Sequence, residues 1–318
     1  MRQLYPAVQP YATFKLDVGD GHSLHVERCG TRGAIPLVFL HGGPGGGCKA
    51  DHRQYFAPEL FDVVLFDQRG AGRSTPFGGV EQNDTARSIT DMEALREQCG
   101  FAHWVVFGGS WGATLALAYA ESHPERVMGL ILRGTFLARE SDLRWFAGNG
   151  ANRMLPVQWQ RFLDVVDART GSGLISYLYA ETFASERARV EAVARAWEAW
   201  SGAVVMFSLD QSGDGVAADL DTAIAKLRIE MHYAYHHYFL AENQLLMEAH
   251  RLPRVPTTII HGARDLTCTA DAAWAIHQAI AGSRLEILRT AGHLGSETPM
   301  IDALVRATDE IASAIAGR

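Results

Sequence analysis

The chain has 318 residues, of which 47% are apolar and 20% are charged, and its formal net charge is −7. This composition is typical of a globular protein with a large hydrophobic core, and no apolar run approaches the roughly 20 residues of a membrane-spanning helix. The negative charge argues against nucleic-acid binding, which generally uses a basic surface. The length permits one large α/β domain or two smaller domains.

The first residues of the chain, up to Lys15, lack the basic and then apolar pattern of a secretory signal peptide. The cysteines show neither paired nor metal-ligand spacing, which favours free thiols in a reducing compartment. We therefore expect a cytoplasmic protein without a metal ion and without nucleic-acid or membrane partners. The sequence leaves its oligomeric state open. The cysteines are Cys29, Cys48, Cys99 and Cys268.

Short runs of strand-forming residues alternate with loops and helix-forming stretches along the first half of the chain. A hairpin signal at residues 19–21 separates the first two runs. Two further runs come late, with a helical pattern over residues 270–281 between them. This alternation predicts a mostly parallel, eight-stranded sheet with helices on both faces. The predicted strands cover residues 13–18, 22–28, 36–40, 62–66, 104–107, 127–132, 257–260 and 284–288.

The interval 135–245 shows no clear strand pattern and is rich in helix formers and aromatic residues. We interpret it as a helical cap that is inserted after the sixth strand and closes over a site. Residues 1–134 and 246–318 then form the α/β core. Aromatic side chains at helical spacing are expected mainly inside the cap, with a minority of them in contact with a ligand.

The segment GGSWG at residues 108–112 lies between an apolar strand pattern and a helix-forming stretch, residues 113–120. A serine with glycines two positions before and after it, between strand and helix, is the nucleophile elbow of the α/β-hydrolase fold. The glycines are needed because the strained turn leaves no room for neighbouring side chains. An ordinary glycine-rich turn is the alternative. We predict the α/β-hydrolase fold, with Ser110 as nucleophile.

A nucleophilic serine needs a base that removes its proton and an acid that orients the base. In this fold they follow in the order Ser, Asp or Glu, His. Asp265 comes just after a late strand pattern, and His293 lies in the loop after the last one. Asp271 is the nearest rival acid, but it falls inside the predicted helix. We therefore predict a catalytic triad of Ser110, Asp265 and His293.

Acyl transfer also requires hydrogen-bond donors for the negative charge that develops on the substrate oxygen. One predicted donor is the backbone N–H of Trp111, the residue after the nucleophile. The other is assigned to Gly43, in the segment HGGPGGG at residues 41–47 after the third strand. A phosphate-binding loop is the alternative for this segment, but the Lys-Ser/Thr ending of such loops is missing.

With these residues placed, the chain resembles the prolyl iminopeptidases, a family of serine aminopeptidases with the α/β-hydrolase fold. The combination of HGGPGGG, DQRGAGRS and GGSWG is far more specific than any one of these motifs. The resemblance implies release of an N-terminal proline from peptides, without a metal ion or an organic cofactor. Ala71, where Cys is frequent, and Ala86, where Trp is expected, depart from the family pattern. The resemblance is carried by residues 4–6, 41–47, 67–74, 108–112, 132–134, 197, 200, 229–233, 261–268 and 292–293.

An aminopeptidase must recognise a free amino terminus, and the resemblance implies that cap carboxylates bind this ammonium group. Glu230 in the segment IEMHY matches one family carboxylate, and a solvated helix residue is the alternative. The family's second carboxylate follows the second Trp of W-x-x-W, but here Trp200 is followed by Ser201. Glu198 lies on the same helix face as Ser201. It either reaches the same space as the missing carboxylate or faces solvent.

These residues predict a serine aminopeptidase that releases an N-terminal proline or another small residue from a small peptide or amide through an acyl-enzyme. Ser201 favours the alternative, an esterase or amidase of the same fold whose substrates need no free amino group. A binding protein without catalysis is a third hypothesis, and the complete triad argues against it. Cys268 matches a family cysteine and is expected to pack close to Asp265.

Overall fold

The computed structural model describes residues 1–166, 173–209 and 219–317. Its centre is one sheet of eight strands. All eight predicted strands are present, with ends that lie within two residues of the expected ones. The predicted α/β architecture is therefore confirmed. The strands are β1 (Ala12–Asp17), β2 (Ser23–Gly30), β3 (Ile35–Leu40), β4 (Phe61–Asp67), β5 (Trp104–Gly109), β6 (Val127–Arg133), β7 (Thr257–Gly262) and β8 (Arg284–Leu288).

The strand order in the sheet is β1-β2-β4-β3-β5-β6-β7-β8. Strand β2 runs antiparallel to its neighbours β1 and β4, whereas β3 to β8 all run parallel to one another. The carboxyl ends of parallel strands meet at one edge of a sheet, which is where open α/β sheets bind ligands. The loops after β3, β5, β7 and β8 therefore lie at a common edge.

Helices cover both faces of this sheet. Helices α1, α2 and α10 in the list below pack on one face, and α11 packs on the other. The helices are α1 (Thr85–Gln98), α2 (Trp111–Ser122), α3 (Glu140–Ala147), α4 (Ala151–Met154), α5 (Pro156–Val166), α6 (Leu174–Thr182), α7 (Arg187–Val205), α8 (Leu220–Tyr235), α9 (Gln244–Met247), α10 (Ala270–Ala279) and α11 (Thr298–Ala316).

Helix α2 is buried along nearly its whole length, which explains why its sequence is apolar on all sides. It begins at Trp111, two residues before the predicted start. It ends before His123, whose φ of −132° and ψ of 58° lie outside the helical region. The cause is Pro124, because the ring of a proline disfavours the helical conformation in the residue before it.

Helices α3 to α8 follow β6 and form a separate hydrophobic cluster; we refer to these six helices as the cap. Aromatic side chains such as Trp159, Phe162 and Trp200 lie inside this cluster, as expected from their helical spacing. Residues 167–172 and 210–218 of the predicted cap lie outside the described residues. The division into a core (1–134 and 246–318) and a cap domain (135–245) stays a prediction. None of the described helices is long and apolar enough to cross a membrane.

Candidate active site

Ser110 occupies a sharp turn between β5 and α2, with backbone angles of φ 58° and ψ −125°. Positive φ in a residue with a side chain is strained, and strain at this junction is the signature of a nucleophile elbow. The Ser110 N–H donates a 2.8 Å hydrogen bond to the Arg133 carbonyl oxygen, which ties the turn to the end of β6. Ser110 lines a cavity at the edge of the sheet.

The glycines around Ser110 are required by close backbone approaches. A Cβ atom on Gly108 would lie 2.1 Å from the Gly112 carbonyl oxygen, and one on Gly112 would lie 2.2 Å from that of Leu40. Both distances are far below van der Waals contact. Any larger residue at 108 or 112 would therefore displace either the elbow or the end of β3.

His293 lies in the loop after β8, with its Nδ1 atom 2.7 Å from Asp265 Oδ2. A hydrogen bond donated from Nδ1 leaves Nε2 as the ring atom that can accept a proton. The Arg133 guanidinium donates to the His293 carbonyl oxygen at 2.6 Å and so holds the loop. Gly134 makes room for the pair, because a Cβ there would lie 3.3 Å from His293 Nδ1 and 3.4 Å from Asp265 Oδ2.

The Asp265 carboxylate is itself fixed by the backbone. Its Oδ1 atom accepts hydrogen bonds from the N–H groups of Thr267 and Cys268, each at 2.9 Å. Burial opposes the charge, but His293, His261 and the Cys268 N–H group outweigh it and hold the pKa of Asp265 below its ordinary value of 3.8. The rival acid Asp271 lies on α10 with 63% of its side chain exposed.

The Cys268 thiol lies close enough to the Ser110 hydroxyl for the two side chains to interact. Cys268 is buried beside Asp265, where the sequence analysis expects it. Within the described ranges, no hydrogen bond joins Ser110 to His293. A loose contact between nucleophile and base is common before substrate binds, because such hydrogen bonds often tighten only in the complex.

The loop after β3 brings Gly43 to the same cavity, with φ of 120°. A Cβ on the preceding Gly42 would lie 3.2 Å from Ser110 Cβ, so this loop packs directly against the elbow. Among the described residues, the backbone N–H groups of Gly43 and Trp111 have no hydrogen-bond acceptor. Both are thus available to a substrate oxygen. Trp111 is fully buried, so its side chain packs into the core directly behind the elbow.

One side chain connects the two segments that carry these N–H groups. Gln68 donates from Nε2 to the His41 carbonyl oxygen at 3.0 Å and accepts from Trp111 Nε1 at 2.8 Å. The Gln68 backbone N–H also donates to His41 Nε2 at 3.0 Å. Burial lowers the pKa of His41 below its ordinary value of 6.5, so its ring is neutral and can accept this bond.

The cavity beside Ser110 has a volume of about 520 Å³. It lies between the sheet edge and the cap, and each side contributes predicted site residues. The core side supplies Ser110, His293 and Gly43, and α7 and α8 supply Glu198 and Glu230. Asp265 is placed behind His293 and does not line the cavity. The structure thus brings the predicted catalytic and substrate-binding residues to one place.

Glu230 on α8 faces this cavity rather than bulk solvent, with 14% of its side chain exposed. Its Oε2 atom accepts a 2.7 Å hydrogen bond from Trp197 Nε1. Its Oε1 atom lies 3.5 Å from Lys226 Nζ, one helical turn earlier. Trp197 and Lys226 also line the cavity. The carboxylate is therefore oriented by the indole and faced by an ammonium group of the same chain.

Ser201 and Glu198 both line the cavity from α7. Ser201 is buried, and its hydroxyl donates to the Glu198 carbonyl oxygen at 3.2 Å. Glu198 is partly buried, and its charge acts on Lys226 across the space between α7 and α8. Glu198 therefore lies at the cavity rather than on a fully solvent-exposed face of α7.

Two residues with evident influence on the site are absent from the sequence-based predictions. Gln68 lies within the motif DQRGAGRS, whose pattern indicates the family resemblance but no role for this side chain. Lys226 lies four residues before Glu230, a spacing that predicts an ion pair on one helix. Within the part of the chain that is described, no cluster of three or more His, Cys, Asp or Glu could hold a metal ion.

Comparisons with known proteins place this geometry in a family. Residues 35–299 match the alpha/beta hydrolase fold family. A proline iminopeptidase of Xylella fastidiosa is 42% identical over 310 residues, which are 97% of this chain and 99% of that protein. The chain belongs to the proline iminopeptidase family. A further member, from Arabidopsis thaliana, is 39% identical over 98% of this chain and 82% of that protein.

Among solved structures, the proline iminopeptidase of Mycobacterium smegmatis superposes with a TM-score of 0.63. The sequence identity is 18%, with 96% of this chain and 100% of the other covered. At this level of identity the likeness shows the fold alone. It confirms the α/β-hydrolase fold predicted from the elbow, and the family relationship confirms the predicted class of enzyme, a hydrolase.

Proposed function

We propose that this protein is a serine aminopeptidase that releases an N-terminal proline or another small residue from short peptides. The observation that carries this proposal is the meeting of Ser110, His293 and Glu230 in one cavity of about 520 Å³. A nucleophile and base alone suit any acyl substrate. A carboxylate in the same cavity provides a partner for the ammonium group that marks the start of a peptide.

The reaction begins with the Ser110 hydroxyl, which directs its proton towards His293. His293 Nε2 takes the hydroxyl proton while the oxygen attacks the substrate carbonyl carbon. Asp265 holds His293 in the required orientation and stabilises the imidazolium that forms. The N–H groups of Gly43 and Trp111 donate to the oxyanion.

His293 then returns the proton to the leaving amine, and the peptide without its first residue departs. The acyl-enzyme on Ser110 is hydrolysed by water, with His293 acting as base a second time. The substrate amino terminus is held by Glu230, which Trp197 orients. Glu198 lines the same cavity and is the candidate for a second carboxylate in this role. These assignments use residues that line or directly support the cavity.

The proposal is tested by comparing the hydrolysis of L-proline, L-alanine and N-acetyl-L-proline 4-nitroanilides, with the Ser110→Ala protein as the blank. We expect the free-amine proline compound to be hydrolysed far faster than its acetylated counterpart. Similar rates for both compounds would contradict an aminopeptidase, because the acetyl group removes the charge that Glu230 binds.

A second candidate is an esterase or amidase of the same fold that needs no free amine. The observation that favours it is Ser201, which lines the cavity at the position where the family pattern has a carboxylate. A neutral hydroxyl there gives an ammonium group less electrostatic attraction than a second carboxylate would. Faster hydrolysis of the acetylated compound than of free-amine proline would establish this candidate.

A further inference from the structure

Lys226 is an unusual residue in this chain. The chain has 29 lysine and arginine residues, and Lys226 is one of only three lysines among them. It lies on α8 with its side chain on the cavity wall, and 41% of that side chain is accessible. A charged group at this place acts on whatever the cavity binds.

The Lys226 ammonium group interacts with two carboxylates of the cavity, those of Glu230 and Glu198. Its Nζ atom is 3.5 Å from Glu230 Oε1, and Glu198 adds a further favourable electrostatic interaction. Glu230 in particular raises the pKa of Lys226 above its ordinary value of 10.5, which keeps the amine charged at neutral pH. The remaining charged residue of the cap in this wall, Asp142, is paired with Arg139 at 2.6 Å.

The net charge of Glu198, Lys226 and Glu230 together determines how strongly this part of the cavity attracts an amine. Glu198 and Glu230 contribute two negative charges, and Lys226 cancels one of them. A substrate ammonium that approaches Glu230 must also approach Lys226, and like charges repel each other. Lys226 has three N–H donors, so it can also offer hydrogen bonds to a neutral carbonyl or hydroxyl oxygen.

We infer that Lys226 is a specificity-determining residue, an internal cation that weakens binding of a free amino terminus and lets the cavity accept N-blocked or otherwise neutral acyl groups. The inference rests on the proposed function, because it concerns the same cavity. It extends the substrate class from peptides with a charged N-terminus to peptides and amides whose first nitrogen is acylated.

The test measures binding without turnover, in proteins that carry Ser110→Ala. Titration calorimetry gives the Kd of L-prolinamide, which is a cation, and of N-acetyl-L-prolinamide, which is neutral. With Lys226→Met added, we expect prolinamide to bind about ten-fold more tightly, because one repulsive charge is removed in a partly screened cavity. The Kd of the acetylated compound should stay the same or rise.

Three control variants accompany the measurement. Lys226→Arg keeps the charge and should leave the Kd of prolinamide within about two-fold of the parent value. Lys15→Met removes an exposed lysine far from the cavity and should change neither Kd. Lys226→Gln removes the charge with a polar side chain, and replaces Lys226→Met if that variant does not fold.

Unchanged or weaker binding of prolinamide after Lys226 is neutralised would overturn the inference. Weaker binding would mean that Lys226 orients Glu230 for the substrate. The proposed function fails by a separate result, hydrolysis of the acetylated anilide by the unmodified protein at a rate similar to that of the free-amine proline anilide. Calorimetry with the Ser110→Ala proteins does not depend on that activity, so the two failures are distinguishable.

Discussion

The two walls of the cavity are built in different ways. On the core wall, backbone geometry fixes the reactive groups: a strained Ser110, glycines that admit no Cβ, and N–H groups that hold Asp265. On the cap wall, long side chains on α7 and α8 meet, as in the 2.7 Å hydrogen bond that Trp197 Nε1 donates to Glu230 Oε2. Backbone contacts therefore constrain the core wall, whereas the cap wall is made of side chains that single substitutions can change.

We expect this difference to separate reaction from recognition. A change on the core wall should lower kcat for every substrate, because the nucleophile and oxyanion groups act on any acyl compound. A change on the cap wall should alter KM for substrates with an amino terminus and leave simple esters alone. Each wall therefore has its own kinetic signature, which the following variants can break or sharpen.

The largest effect is expected from Asp265→Asn. The amide would present an N–H group or a weaker acceptor to His293 Nδ1, and the ring would lose its orientation and tautomer. We expect kcat to fall by about four orders of magnitude for both a prolyl anilide and a simple ester. Steady-state kinetics on both substrates provide the measurement.

Asp271→Asn is the matched control for this variant. Asp271 is the rival acid of the sequence analysis, and it lies on the exposed side of α10. Its replacement should leave kcat within about two-fold, in keeping with the small effect of most surface substitutions. A comparable loss in both variants would show that the assignment of the acid to Asp265 is mistaken.

A second prediction concerns stability in the core, away from the cavity. Burial on α2 raises the pKa of Glu121 from 4.5 to about 8, and Glu248 adds to the effect. The folded state binds the Glu121 proton more tightly than the unfolded state does. The contribution of Glu121 to the free energy of unfolding is therefore fully present below pH 4.5 and is lost as the pH rises to about 8. Relative to Glu121→Gln, we expect the protein to lose about 2.5 kcal/mol of unfolding free energy between pH 5 and 7.

Urea unfolding of both proteins at several pH values measures this difference. Glu59→Gln, a change at an exposed loop residue, controls for the general effect of removing one negative charge. A constant stability gap across the pH range would contradict the prediction. The kcat of Glu121→Gln should stay at the parent value, since Glu121 lies outside the residues that line the cavity.

On the cap wall, Glu230→Gln should raise KM for L-proline 4-nitroanilide by at least about 30-fold. The substrate ammonium group would lose its carboxylate partner and would face the positive charge of Lys226, which Glu230 no longer balances. Hydrolysis of a simple ester should be spared. Glu191→Gln, on the outer surface of α7, is the control and should change neither value. Equal losses on the anilide and the ester would remove Glu230 from its role in recognition.

The same contrast explains what could be predicted from the sequence. The core wall follows local rules: apolar runs predict the strands, and a serine between glycines predicts the elbow. The cap wall depends on which helix faces which, and the sequence analysis left Glu198 open between the cavity and solvent. Gln68 shows the limit most clearly, because its contact with Trp111 joins residues 43 positions apart. Local patterns do not report such contacts.

The smallest effect is expected from Gln68→Leu, which sharpens the boundary between the two walls. Leucine fills a similar volume but removes the hydrogen bonds that link His41 to Trp111, and with them the fixed spacing of the two oxyanion N–H groups. The donors themselves remain, so we expect kcat to fall by about ten-fold rather than the hundred-fold or more of a lost donor. The decrease should be the same for a prolyl anilide and a simple ester, with KM little changed and a melting temperature that shows a folded protein. A decrease confined to the anilide would instead assign Gln68 to recognition, and the separation of the two walls would not hold at this residue.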